Sequence, residues 1–170
     1  TLENLLLLAR LDPEHAENLP KTCINLHTVI DEVIQALELF ANQKSIQLHL
    51  QLMGNENHTI PANQQLLFTC IRNIVDNAIR YTDQNGTVNI FTGTVNGHAF
   101  YRVEDNGIGI PENEQKRIFE RFYRVDKSHS RATGGTGLGL SIVKHGAILH
   151  NAEIKLESEP GKGTKMELVF

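Results

Sequence analysis

No stretch of this chain is apolar for long enough to cross a bilayer, and no secretory signal pattern is present. The sequence therefore predicts a soluble chain, with any membrane segment carried on a part of the protein outside it. Cysteine is scarce as well. Cys23 and Cys70 are the only two; they form no CxxC and both fall within apolar periodic segments. That placement reads as two buried thiols in a reducing compartment, not as a disulfide framework. Basic residues are not in excess either. Against 20 Asp and Glu stand 16 Lys and Arg, a net charge of −4, which excludes a nucleic-acid binder that works by broad phosphate neutralisation. A local basic pocket remains compatible with that balance. There is no GxxxxGKS or GxxxxGKT run, since Gly161-Lys-Gly-Thr164 is too short and sits in a turn between strands. Internal repeats and low-complexity tracts are missing too.

What is present suits one ordinary soluble domain with a short appendage. At 170 residues, 40% apolar and 21% charged, the chain can bury a sizeable core without staples. Residues 1–11, TLENLLLLARL, have Leu2, Leu5, Leu6 and Ala9 at helical spacing, and Asp12-Pro13 stops the pattern. So short and greasy a helix is expected to pack on something upstream or on a partner chain. Residues 13–21, polar and holding Pro13 and Pro20, read as a linker. Thr22–Leu26 predicts a strand, His27–Lys44 an amphipathic helix and Ile46–Leu52 a half-buried strand. Pro61 is expected to open a helix running to Tyr81. Thr87–Val95 and Ala99–Glu104 predict a hairpin closed by Asn96-Gly97. One short helical piece is expected near Glu112–Phe122, then a helix over Gly139–His150 and strands over Ala152–Ser158 and Thr164–Phe170. This order suits helices grouped on one face of a mixed sheet better than a doubly wound parallel sheet.

Four segments carry the chemistry. In Asn73-Ile-Val-Asp-Asn77-Ala-Ile-Arg80-Tyr81-Thr82, the residues Asn73, Asn77, Arg80 and Tyr81 share one helix face, while Leu67, Ile71, Ile74 and Ala78 line another. Asparagine is a mediocre helix former, so an amide stripe is unusual. A solvated polar face accounts for Asn73 taken alone. Asn77, followed three residues on by a cation, suits a metal–phosphate contact: an amide oxygen can coordinate Mg²⁺, and Arg80 can meet phosphate as a fork. The second segment, Val103-Glu-Asp105-Asn-Gly107-Ile-Gly109-Ile110-Pro111, puts a carboxylate at a strand end, where it can accept from an exocyclic amine such as that of adenine. Its glycines allow a sharp turn and close approach to a flat ring. By itself it is equally an Asp-Asn-Gly turn that ends a strand.

The third, Thr133-Gly134-Gly135-Thr136-Gly137-Leu138-Gly139-Leu140, feeds alternating glycines into a helix whose free amides and positive dipole end suit phosphate. Its spacing is not that of a dinucleotide-binding fingerprint. The fourth, Phe119-Glu-Arg121-Phe122-Tyr-Arg124, reads as a lid docked by two phenylalanines, carrying Arg121, Arg124, Lys127 and Arg131 over bound phosphates. A short amphipathic helix covering the core describes nearly the same physics.

Taken in order, these segments resemble the motifs of sensor histidine kinases. Asn73–Thr82 is similar to the N box, Asp105–Gly109 to the first glycine box, Phe119–Phe122 to the F box and Gly135–Leu140 to the second glycine box. Gly161–Thr164 is similar to the last glycine motif. The resemblance covers roughly residues 22–170 and implies a two-layer α/β sandwich, the Bergerat fold shared with gyrase, Hsp90 and MutL ATPases. That fold has a mixed sheet with helices on one face and a long ATP lid, here about 106–137. It further implies that Asp105 binds the adenine amino group and that Asn77 ligates Mg²⁺. Asn73, Arg80, Tyr81, Gly107, Gly109, Ile110, Arg124, Gly135, Thr136, Gly137, Leu138, Gly139 and Leu140 would complete the ATP site, with Arg80 and Arg124 stabilising the phosphates. Residues 1–12 are similar to the end of that family's dimerisation helix hairpin, joined to the catalytic domain by 13–21.

The implied activity is transfer of the γ-phosphoryl group of ATP to a histidine on a dimerisation domain, within a homodimer, and then to a response regulator. The implied placement is a cytoplasmic domain of a protein in the cell membrane. No histidine here has the His-Glu-x-x-Thr-Pro context of the family's phosphoacceptor; His15, His27, His49, His58, His98, His129, His145 and His150 read as surface or helix-end residues. The chain is therefore expected to hold the kinase half without its acceptor. Arg80 replaces a usual lysine, and His150-Asn151-Ala152 replaces His-Gly-Gly. Three other classes share the pocket: a hydrolase of the gyrase or Hsp90 type, a serine kinase of the anti-sigma-factor type, and a non-catalytic module that switches on nucleotide. The hydrolases carry a water-activating glutamate where Asn73 stands, and an amide is no general base.

Overall fold

The structure, a computed structural model, describes residues 2–11, 19–54, 59–125 and 135–170. Helix α1 (Leu2–Arg10) precedes strand β1 (Thr22–Asn25), helix α2 (Leu26–Gln43), and strands β2 (Gln47–Met53) and β3 (Thr59–Ala62). Helix α3 (Gln64–Tyr81) leads into strands β4 (Thr87–Val95) and β5 (His98–Asp105). Helix α4 (Gly139–Leu149) and the strands β6 (Glu153–Glu159) and β7 (Gly163–Val169) complete the chain. Five strands form one mixed sheet in the order β2-β4-β5-β7-β6, in which only β2 and β4 run parallel; β1 and β3 pair as a separate antiparallel ribbon.

Strand register decides which face is buried. Val88, Ile90, Tyr101, Val103, Met166 and Leu168 occupy matching positions on β4, β5 and β7 and are all buried. Over them lie Leu26, Ile30, Val33 and Leu37 of α2, Leu67, Ile71, Ile74, Val75 and Ile79 of α3, and Ile142 and Val143 of α4, in one continuous core. The opposite sheet face is covered by charge. Arg102 sits 4.5 Å over the Phe91 ring and pairs with Glu104 at 3.0 Å and Glu167 at 3.6 Å. One buried face and one polar face make a two-layer α/β sandwich.

Several expectations need correction. Pro61 does not open a helix: it lies in β3, a ribbon-edge position where its missing N–H is tolerated. Asn63 is the true start of α3, its side chain accepting from Leu66 N at 3.0 Å. The helical piece near Glu112–Phe122 is two separate 3₁₀ turns, Glu112–Glu114 and Arg117–Phe119. Cys70 is buried, but Cys23 is exposed, since on the four-residue β1 its side chain alternates away from that of buried Ile24. The short first helix packs in part on its own chain, since Leu8 of α1 and Leu11 just after it join the core, while Leu2, Leu5, Leu6 and Ala9 are exposed. Of the linker, only residues 19–21 fall within the described residues, and of the lid only 106–125 and 135–137.

His150, expected as a surface or helix-end residue, does cap α4 but is buried at 8% exposure. Its Nε2 accepts from Asn63 N at 3.1 Å, and its Nδ1 lies 2.8 Å from Gly146 O. A carbonyl only accepts, so Nδ1 holds the proton and the ring is neutral. Burial first, and Lys21 nearby, lower its pKa below 6.5, outweighing the bond to Gly146 O that favours the charged ring; the Asn63 amide, which donates to Nε2, favours the neutral one. The unfolded chain then binds the proton more readily, so this contribution is complete above pH 6.5 and is lost as pH falls below it. Denaturant titrations from about pH 7.5 to about pH 5.5 should show falling stability. His150→Gln should begin about 1 kcal/mol lower and have a shallower pH slope. An unchanged slope in the variant would clear His150 of this role.

Candidate functional site

The C-terminal end of α3 and the turn after β5 build the site together. Tyr81 O accepts from Ile108 N at 3.1 Å, joining the helix end to the glycine turn. Gly107 passes so close that a Cβ there would lie 2.2 Å from Tyr81 O. Gly109 has φ +67, and its Cβ would lie 2.0 Å from Glu159 O, so neither its conformation nor its space admits another residue. From the other side Gly163, φ +95, presses β7 against the same turn, where a Cβ would lie 1.9 Å from Asp105 O. Three backbones converge at Asp105.

The Asp105 carboxylate is fixed by that convergence. Its Oδ1 accepts from Gly107 N at 2.9 Å and from Thr164 N at 3.2 Å, while Oδ2 has no partner among the described residues. Burial raises its pKa above the ordinary carboxylate value, and those two amide bonds oppose the rise. Oδ2 is thus an oriented, partly desolvated acceptor at the rim of a small cavity. That cavity, about 50 Å³, is lined by Ile74, Asn77, Ala78, Val103, Asp105, Ile110, Leu140, Thr164 and Met166. Such a space admits the edge of a flat ring. Asn77, Ile110, Leu140 and Thr164 also border a much larger cleft that takes in Asn73, Arg80, Tyr81, Gly109, Arg124, Gly135, Thr136, Gly137 and Gly139.

Most residues singled out in the sequence therefore meet around one connected space. Two do not line it. Gly107 is spent against Tyr81 O, and Leu138 is 1% exposed, its side chain directed into the core. Asn73 does line the cleft, but its Nδ2 donates to Thr69 O at 2.9 Å and its Oδ1 would lie 2.7 Å from a Cβ on Gly139. The Asn77 side chain has no hydrogen-bond partner among the described residues. An unpartnered side-chain amide lining the cleft has an oxygen that suits a hard cation, whereas no cluster of three or more His, Cys, Asp or Glu among the described residues could hold a metal. Arg80 stacks 5.0 Å over Phe40 and pairs with Asp76 at 2.7 Å. Arg124 donates through Nη1 to Gly135 O, holding a guanidinium beside the glycine run.

The F-box phenylalanines divide. Phe119 packs on the core beside buried Ile118, but Phe122 is 63% exposed at φ +65, its N bonded to Gly137 O at 2.9 Å, so it fixes a chain reversal instead of docking. Lys127 and Arg131 lie outside the described residues.

Two residues escaped sequence reasoning. Thr164 borders both spaces; the closing glycine motif was its only signal. Lys44, at the end of α2, belongs to no motif. Its Nζ donates to Ile79 O and Arg80 O at 2.9 Å each and to Thr82 O at 2.6 Å, filling carbonyls left open where α3 ends. Desolvation lowers its pKa, with Asp83 opposing and Arg80 adding. Lys44→Met should lower unfolding free energy by about 1–2 kcal/mol and weaken ligand binding in the cleft, as denaturant titration and calorimetry would show. Wild-type stability in the variant would refute the cap.

Comparison with known proteins bears on the family and the fold. A family model described as histidine kinase-, DNA gyrase B-, and HSP90-like ATPase matches residues 62–170. The chain is 39% identical over 165 residues to the sensor-like histidine kinase SenX3 of Mycolicibacterium smegmatis, covering 96% of this chain and 42% of that protein. It is 40% identical over 164 residues to the sensor histidine kinase RppB of Synechocystis, covering 96% and 36%. The chain thus spans less than half the length of these curated relatives. Among solved structures, the catalytic domain of histidine kinase ThkA superposes with a TM-score of 0.76 at 26% identity, covering 88% of this chain and 94% of that one.

Proposed function

This chain belongs to the histidine kinase-, DNA gyrase B-, and HSP90-like ATPase family, and from that premise we propose that it is the catalytic domain of a sensor histidine kinase. It binds Mg-ATP and donates the γ-phosphoryl group to a histidine on the dimerisation domain of its homodimeric parent, for transfer onward to a response regulator. A parent anchored in the cell membrane goes with this reading; no helix among the described residues is itself long and apolar enough to cross one.

The observation that carries the proposal is the polarity of the α3 face. Where a hydrolase of this family would need a water-activating carboxylate, Asn73 offers an amide that cannot take a proton. The acid of α3 that borders the cleft, Asp76, is bound to Arg80. The face is equipped to hold a triphosphate and poorly equipped to activate water.

The chain's own groups then divide the work. Asp105 Oδ2 accepts from the adenine amino group, with Ile74, Ala78, Val103 and Met166 as the apolar walls. Asn77 supplies the protein oxygen for Mg²⁺, whose charge, when bound, offsets that of the phosphates. Arg124, Arg80 and the backbone of Gly135–Leu140 at the start of α4 meet the phosphates, and Tyr81 the ribose or phosphates. These groups position and neutralise; the nucleophile comes from outside the pocket.

Calorimetry and label transfer test this directly. The chain should bind Mg-ATP with a dissociation constant roughly between micromolar and millimolar and take up no label from γ-labelled ATP. Asn77→Ala should abolish the magnesium dependence of binding. Asp105→Asn should weaken ATP and ADP alike by about tenfold or more, yet leave inorganic triphosphate binding unchanged. Unchanged Mg-ATP binding by the first variant would remove Asn77 from the metal site. Equal losses for nucleotide and triphosphate in the second would remove Asp105 from the adenine site.

A further inference from the structure

Ser158 lies on β6, outside every motif singled out in the sequence, yet its hydroxyl meets two residues of the pocket wall, Ile110 and Thr164, and the backbone of Gly163 beside them. Ile110 N donates to Oγ at 2.8 Å, Gly163 O lies 2.9 Å away, and Thr164 Oγ1 also lies 2.9 Å away. A serine hydroxyl has one proton and two lone pairs. Gly163 O can only accept, so the proton goes there. The lone pairs then take the Ile110 amide proton and the Thr164 hydroxyl proton, and no other assignment satisfies all three contacts.

The consequence appears at Thr164. With its proton turned toward Ser158, Thr164 Oγ1 keeps only lone pairs for a ligand in the cavity that Thr164 lines beside Asp105. Asp105 already has Oδ1 occupied by two amides and Oδ2 open as an acceptor. Where Asp105 and Thr164 border the cavity, both side chains therefore offer only acceptors, and the one other polar side chain of its lining, Asn77, lies across from them on α3. Gln115 makes the arrangement rigid: its Nε2 donates to Ile110 O at 3.1 Å and to Ser158 O at 2.9 Å, so both backbone polar groups of Ile110 are held.

We propose that Ser158 is a positioning residue that sets the hydrogen-bond polarity of Thr164, and so selects a purine presenting an exocyclic amino group over one presenting a carbonyl. The proposal rests on the reading of Asp105 as the adenine contact. An amino group finds an acceptor in Asp105 and another in Thr164. The oxo group of guanine would set lone pairs against lone pairs with no proton between, the mismatch that gives hydrogen-bonded sites their discrimination.

Calorimetric titration of the whole chain with ATP and with GTP tests it. Wild type should prefer ATP. Ser158→Ala frees the Thr164 proton to point into the pocket, and the ATP-to-GTP affinity ratio should narrow about tenfold. Ser158→Thr, which restores the hydroxyl, should return the ratio to within about twofold of wild type. Thr164→Val should narrow the ratio by itself and abolish any further effect of Ser158→Ala. Loss of both nucleotides by one common factor in Ser158→Ala, or a wild-type ratio in Thr164→Val, would overturn the proposal, the second even if Ser158→Ala fails to fold. If wild type shows no ATP preference, or Asp105→Asn leaves the ratio unchanged, the adenine reading falls and this proposal falls with it. If Asp105→Asn shifts the ratio and Ser158→Ala does not, only the role of Ser158 is lost.

Discussion

Asp105 Oδ1 accepts two backbone amides, one from the turn that follows its own strand and one from the start of β7. Through that single oxygen the β5 end, the glycine turn and the β6–β7 hairpin are held in one arrangement. The approach is possible only because Gly107, Gly109 and Gly163 leave no side chain between the backbones. An oriented carboxylate oxygen then faces a cavity lined by apolar side chains. Burial alone would push this carboxyl toward its neutral form; the two amides favour the ionised form that can accept from a ligand. Geometry and charge state thus have the same origin.

The helix that faces Asp105 is constrained from its other end. The carbonyls at the close of α3 are divided between two partners: Ile79, Arg80 and Thr82 accept from Lys44, and Tyr81 accepts from Ile108 N. An ammonium at that terminus also offsets the negative end of the helix dipole close to the cleft that Lys44 itself borders. Asn77, one turn earlier on the same helix, keeps a fixed position relative to Asp105. The second glycine run approaches from α4, whose first residue packs against Asn73. The asparagine with no hydrolytic chemistry thus also serves as a helix–helix contact, which accounts for its side chain turning back to Thr69 O.

Much of this was legible in the sequence because it rests on local rules. Asn96-Gly97 closes the β4–β5 hairpin with both residues at positive φ, as that dipeptide does. The periodicity of α2 and α3 predicted buried faces that the core contains. Asn77, Asp105 and the glycines were found from motif order. The misses are tertiary. Pro61 is as acceptable at a ribbon edge as at a helix start, and only pairing with β1 decides. Cys23 and Ile24 are adjacent on one strand, and the strand's orientation alone determines which is buried. Lys44 and Ser158 act through backbone groups 35 and 48 residues away, respectively, and no local pattern announces such partners. Phe122 is aromatic in a polar loop, which suggests docking, but its backbone has a separate task at the reversal.

The most direct test of the account is a crystal structure of this chain with magnesium and a non-hydrolysable ATP analogue. The expected result places the adenine amino group on Asp105 Oδ2 within the cavity bounded by Ile74, Ala78, Val103 and Met166. The triphosphate should run along α3 past Asn77 toward Gly135–Gly139, with no carboxylate positioned at the γ-phosphate. A base seated elsewhere, or an acidic side chain aligned with a water at the γ-phosphorus, would contradict it.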